Sequence, residues 1–239
     1  MKKLFSILIL MGLIAGCVPK PVVQGIANQV ASVRSTVVHI EKVGKCQGSG
    51  CIISPDGIIF TAKHVTDGGG KFIVTLDDGT KYETDVAVEC KDYDAAFLKI
   101  NPTKPLKYAL LARVTDLRVG DPIFIMGSPF GSDNINSVSL GIISAMQRNL
   151  DADVNYGFGW RVTFQTDATA EPGNSGGPVF NLKGEVVGVL VAGMDATVNY
   201  SVPVAVFMYN LDVVKQLFRL NQFEIKNYNP PMYICEVEN

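Results

Sequence analysis

The spacing of turn residues constrains this chain more than any other feature. Between residues 36 and 202 the sequence is cut into short apolar and β-branched runs, most of them bounded on at least one side by glycine, proline, asparagine or aspartate. One series covers 36–43, 50–54, 58–62, 72–76, 82–89 and 95–100, and a second covers 122–126, 137–145, 160–166, 179–181, 185–192 and 198–202. Ser54-Pro55-Asp56-Gly57 and Asp77-Asp78-Gly79-Thr80 carry hairpin-turn chemistry, and Asn181-Leu182-Lys183-Gly184 marks another turn. Runs this short and this regularly interrupted predict an all-β sandwich or barrel, not a parallel sheet with crossover helices. A helical pattern comes only late, over 204–220, where Val206, Leu211, Val214, Leu217 and Phe218 recur at helical spacing.

The amino terminus has a different character. Lys2 and Lys3 precede an apolar run over 4–16 that is broken only by Ser6. That run is too short to span a bilayer, and its order of charged, apolar and small residues is that of an export signal, placed at 1–16. Its end, Leu13-Ile14-Ala15-Gly16-Cys17, resembles the lipobox of bacterial lipoproteins, in which cleavage precedes a cysteine that is then acylated. The resemblance implies a lipidated Cys17, a tether over 17–31 carrying Pro19 and Pro21, and a membrane held through the lipid at about 0.8 kcal/mol per buried methylene. The expected localisation is exported and lipid-anchored at the bacterial cell envelope.

Charge narrows the partners. The formal net charge is −2 with no basic run, so no nucleic-acid partner is expected. Cys46, Cys51, Cys90 and Cys235 allow three pairings. An extended strand would separate Cys46 and Cys51 by about 16 Å, whereas a disulfide holds Cα atoms within about 7 Å. The two can pair only if Gln47-Gly48-Ser49-Gly50 turns back. With no C-x-x-C spacing and only two histidines, neither a metal site nor a cofactor is expected.

The chemistry concentrates in Gly173-Asn174-Ser175-Gly176-Gly177-Pro178. Glycines around a serine let the backbone approach a substrate carbonyl and point amide hydrogens at it. No helix pattern follows Pro178, which argues against a strand-turn-helix nucleophile elbow. A serine nucleophile needs a base, usually histidine. His39 lies inside an unbroken strand pattern, whereas His64, in Thr61-Ala62-Lys63-His64-Val65, lies at a strand end where functional residues gather. A carboxylate must then orient the imidazole from a buried position. Asp94 directly precedes the apolar run 95–100, while Asp92 sits beside Lys91 in a polar turn, so Asp94 is preferred.

The order His64, Asp94, Ser175 is the chymotrypsin order. Together with Gly48-Ser49-Gly50-Cys51-Ile52-Ile53-Ser54 and Asp94-Ala95-Ala96-Phe97-Leu98-Lys99-Ile100, these blocks resemble trypsin-like serine proteases of the HtrA/Deg type over residues 35–220. The resemblance implies two packed six-stranded antiparallel β-barrels, over 32–112 and 113–220, the second with the C-terminal helix, followed by a tail at 221–239. It also implies serine endopeptidase activity through His64, Asp94 and Ser175, on protein or peptide substrates. Gly173 and Ser175 would supply oxyanion-hole amides. Leu190, Val191, Ala192 and Gly193 would line the primary pocket and pair with substrate, with Thr169 near its base. Because Thr169 is not acidic, small or medium apolar residues are the expected preference. Members of this type usually carry PDZ domains after the protease, and none is expected in 221–239. The oligomeric state is left open. The alternative is a non-catalytic envelope lipoprotein that uses the same barrels to bind peptides or partners.

Overall fold

The computed structural model describes residues 22–90, 93–112, 117–150, 160–205 and 211–219. The first sheet contains β1 (Val37–Lys42), β2 (Cys46–Ile52), β3 (Ile58–Thr61), β4 (Phe72–Thr75), β5 (Lys81–Thr84), β6 (Ala87–Glu89) and β7 (Ala96–Lys99). They are ordered β5-β4-β1-β2-β3-β7-β6, every pair antiparallel. The second contains β8 (Leu110–Leu111), β9 (Pro122–Gly127), β10 (Ser137–Leu150), β11 (Trp160–Thr166), β12 (Pro178–Asn181), β13 (Glu185–Asp195) and β14 (Val198–Pro203). Its order is β12-β9-β10-β11-β14-β13-β8, and the β12–β13 pairing closes six strands into an antiparallel barrel. β8 adds to β13 as a short parallel strand.

The all-β expectation holds, with one barrel closed and the other a half-barrel. In the first sheet one expected run is divided near Thr84. The expected run 82–89 is broken there, because the Thr84 hydroxyl donates to the Lys99 carbonyl at 2.6 Å and accepts the Val86 amide at 3.1 Å. The run thus leaves β4 after Thr84 and joins β7, where the Lys99 amide donates to the Val86 carbonyl at 3.1 Å and β6 pairs on to Glu89. Elsewhere the turn chemistry acts as expected. At Ser54–Gly57 the Ile58 amide donates to Ser54 Oγ at 2.9 Å, and Gly57 takes a φ of 91° that side-chain-bearing residues resist.

Among the described residues the α-helices are α1 (Val22–Val33), α2 (Lys63–Thr66) and α3 (Leu211–Arg219), with short 3-10 turns at Arg34–Thr36 and Ser132–Asn134. The segment 17–31, expected as a tether, is helical from Val22. Ile26, Val30 and Val33 fall on one face by their spacing of four and three, and Val33 joins the core. α1 lies against the turn between β12 and β13, where a Cβ at Gly184 would sit 3.0 Å from Gln29 Oε1 and 3.1 Å from Val33 Cγ1. Among the described residues no helix is long and apolar enough to cross a membrane.

One apolar cluster joins the two sheets. Phe60 and Phe97 of the first pack in the same cluster as Phe124, Met126 and Phe180 of the second. Ile123, Ile125, Val179 and Phe164 fill a separate core inside the closed barrel. Strand alternation explains the division, since successive residues of β9 point to opposite faces. β2 runs straight through Cys46 and Cys51, so Gln47–Gly50 does not turn back and the two remain free thiols. Burial pushes the Cys51 thiol up to about 12.

Candidate active site

His64 sits on α2, a single helical turn that starts as β3 ends. Asp94 lies just before β7, the strand paired with β3, so the sheet register brings the two side by side. Asp94 is fully buried and His64 about one-fifth exposed, at 0% and 19%. His64 Nδ1 is 2.7 Å from Asp94 Oδ2, and the His64 main-chain amide donates to Asp94 Oδ1 at 2.9 Å. One carboxylate therefore fixes both the ring and the backbone of the histidine. With the carboxylate as acceptor, Nδ1 carries the proton and Nε2 is the basic nitrogen. Asp92 lies outside the described residues. His39 is buried in β1, and burial holds its imidazole below the usual histidine range.

The serine loop is wedged between the sheets. Gly176 has a φ of 82°, and a Cβ there would lie 2.2 Å from Thr61 Oγ1 and 2.3 Å from the Ser49 carbonyl oxygen. Only a glycine lets Ser175 come this close to the end of β3, where α2 and His64 begin. Gly173 has a φ of 101°, and a Cβ there would meet the Ser128 carbonyl at 2.4 Å. The Pro172 carbonyl accepts the Phe130 amide at 2.7 Å. Because a trans peptide points its carbonyl and N–H in opposite directions, the Gly173 N–H is turned away from Phe130. Among the described residues neither the Gly173 nor the Ser175 amide donates to a backbone carbonyl.

β13 adjoins this loop directly. The Gly176 amide donates to the Leu190 carbonyl at 2.8 Å, and the Leu190 amide to the Gly177 carbonyl at 3.0 Å. Leu190 and Val191 are buried, Ala192 is half-buried and Gly193 is exposed. β13 pairs with β12 only as far as Val189, and past Leu190 no strand flanks that edge among the described residues. Thr169 is exposed, near the 195–198 turn to which the Ala170 amide is bonded through Ala196. Cys17 lies outside the described residues. Among those described, no group of three or more His, Cys, Asp and Glu residues could hold a metal ion.

Two residues here were not singled out from sequence. Asn199 lies opposite Gly193 in the β13–β14 register, and its Nδ2 donates to the carbonyls of Ala168 and Ala196 at 2.9 and 3.1 Å. Nothing in its strand pattern distinguishes it. Ser49 bonds to the serine loop across the two sheets, and its only signal was its place between two glycines.

A profile of the trypsin-like peptidase domain matches residues 48–189. A probable periplasmic serine endoprotease, DegP-like, from Halomonas elongata is 40% identical over 175 residues, covering 71% of this chain and 35% of that protein. Serine protease HTR4 from Rattus norvegicus is 36% identical over 194 residues, covering 74% of this chain and 38% of its own length. The chain thus spans little more than a third of these relatives. The solved structure of an HtrA-type protease, AlgW with tripeptide, superposes with a TM-score of 0.69 at 28% identity, covering 82% of this chain and 64% of that one.

Proposed function

The chain belongs to the trypsin-like peptidase family, in its HtrA type, and on that premise we propose that it is a serine endopeptidase that cleaves peptide bonds of proteins at the bacterial cell envelope. The observation that carries the reading is the pairing of His64 with the buried Asp94, at 2.7 Å, beside the glycine-lined loop of Ser175.

In this reading the Ser175 hydroxyl attacks the substrate carbonyl as His64 Nε2 takes its proton. Asp94 stabilises the resulting imidazolium through Nδ1–H and remains ionised. The carbonyl oxygen becomes an oxyanion, which the Gly173 and Ser175 amides stabilise. The C–N bond then breaks, His64 returns its proton to the leaving amine, and an acyl-enzyme remains. Water, deprotonated by His64, releases the acid and restores the serine. Substrate lies along the unflanked edge of β13 at Val191, Ala192 and Gly193, adding a strand by main-chain hydrogen bonds. Leu190 and Thr169 help form the primary pocket. The narrow space beside Gly193, where Asn199 Oδ1 would lie 2.5 Å from a Cβ, favours small side chains. The exported chain is held to the envelope by a lipid on Cys17.

Fluorophosphonate labelling and casein hydrolysis by wild type, Ser175→Ala and His64→Ala test the reading. Ser175→Ala is expected to abolish labelling and to lower turnover by about 10⁶. Equal labelling of all three proteins would sink the assignment, and a wild type that binds peptides but never labels would favour the non-catalytic alternative.

A further inference from the structure

The reaction leaves Ser49 without a part, although it bonds to the serine loop through both its hydroxyl and its main-chain amide. It is fully buried on β2. Its Oγ donates to the Gly173 carbonyl at 2.7 Å and accepts the Ser128 amide at 2.9 Å. Its own amide donates to the Ser175 carbonyl at 2.7 Å. Its carbonyl accepts Thr61 Oγ1 at 2.7 Å, three residues before His64. One residue therefore reaches both carbonyls that flank Asn174, the end of β9, and the strand that leads to the histidine.

These contacts set the direction of the loop's peptide planes. Fixing the Gly173 carbonyl fixes the Gly173–Asn174 plane, and fixing the Ser175 carbonyl fixes the Ser175–Gly176 plane. The Asn174–Ser175 plane, which carries the Ser175 N–H, lies between them and is itself oriented by the Gly177 amide, which donates to the Asn174 carbonyl at 2.8 Å, so Ser49 acts on it by fixing the planes on either side. The Gly173 N–H is set from the other side by the bond from Phe130 to the Pro172 carbonyl. Through Ser128, Ser49 Oγ also ties the Gly173 carbonyl to the strand end that leads to Phe130.

We propose that Ser49 is a positioning residue whose hydroxyl aims the Gly173 and Ser175 amides at the oxyanion. The proposal rests on the endopeptidase reading and deepens it. Ser49→Ala removes only Oγ, keeps both main-chain bonds, and leaves the Gly173 carbonyl and Ser128 amide without their partner. A misaligned donor pair should slow turnover but leave substrate binding nearly intact. Peptide hydrolysis is expected to lose roughly 10- to 100-fold in kcat with KM changed by less than about threefold. A peptide boronate, which is tetrahedral when bound, should weaken by a similar factor. Ser49→Cys, with a similar volume and a weak donor, should fall between wild type and alanine, and it decides the question if Ser49→Ala does not fold.

Amide hydrogen exchange supplies a readout that needs no catalysis. In Ser49→Ala, exchange over 170–178 should accelerate by at least about tenfold, with the β10 and β14 amides unchanged. Unaltered kcat and unaltered exchange would overturn the proposal. So would a uniform loss of protection across both sheets, which would mark an ordinary structural role. If wild type itself does not label with fluorophosphonate, the endopeptidase reading fails, and local exchange alone decides whether Ser49 orders this loop.

Discussion

Asp94 and Gly176 show how little tolerance the site has at the level of single residues. The Asp94 carboxylate has one oxygen on the His64 ring and the other on the His64 amide. Asp94→Asn keeps the shape but offers an NH₂ group where an acceptor is needed, which favours the wrong tautomer. The expected loss is about 10⁴ in kcat at neutral pH, with little change in the melting temperature. Steady-state kinetics alongside a thermal melt checks both halves of that statement. Gly176→Ala acts through backbone geometry. A φ of 82° strains any side-chain-bearing residue, and the new Cβ would meet the Ser49 carbonyl oxygen at 2.3 Å, which cannot rotate away. Strain of this kind costs about 1–3 kcal/mol. The variant should unfold at lower urea and lose fluorophosphonate labelling. These placements were partly legible in the sequence, because glycines around a serine and an aspartate before an apolar strand are local signals. The particular atoms that need the space, Thr61 Oγ1 and the Ser49 carbonyl, come from a distant strand and left no local trace.

Among the elements, α2 depends on β6. The Thr66 hydroxyl on α2 donates to Glu89 Oε1 on β6 at 2.9 Å, which anchors the far end of the turn that carries His64. Burial pushes the Glu89 carboxyl above the usual carboxylate range, with the Thr66 hydrogen bond, Lys63 and Lys42 opposing the shift and Asp67 adding to it. The folded protein therefore keeps this proton to a higher pH than the unfolded chain does. Its contribution to stability is present at acid pH and is lost as pH rises from the ordinary glutamate value through the raised one. Glu89→Gln keeps an acceptor for Thr66 without the titration. It should melt above wild type at about pH 8 and converge with it at about pH 4. A difference that stayed constant between the two pH values would contradict this account. Strand periodicity located β5 and β6 as one run, and the break at Thr84 escaped it because the hydroxyl's partner, Lys99, is on another strand.

For the whole molecule, the shared core implies shared stability. The Phe124 and Phe180 rings stack with centroids 5.1 Å apart, within the cluster that includes Phe60 and Phe97 of the first sheet. Phe180→Ala should cost about 3–5 kcal/mol and shift a single cooperative urea transition seen by probes in both units. Two separated transitions would show that the units are energetically independent. The proposed lipid anchor is likewise tested on the whole chain. In a bacterial host, Cys17→Ala should abolish incorporation of radiolabelled fatty acid and leave the active site able to label. The sequence by itself determined the all-β class, the turn positions and the linear order of His64, Asp94 and Ser175, because alternation and turn chemistry are written in neighbouring residues. Tertiary structure alone decided that one sheet closes while the other stops at a half-barrel, that α1 docks on the Gly184 turn, and that Ser49 reaches a carbonyl 124 residues away. Those outcomes depend on which strand edges and polar atoms meet in space, and a local pattern carries the face a residue points to but not the partner it finds there.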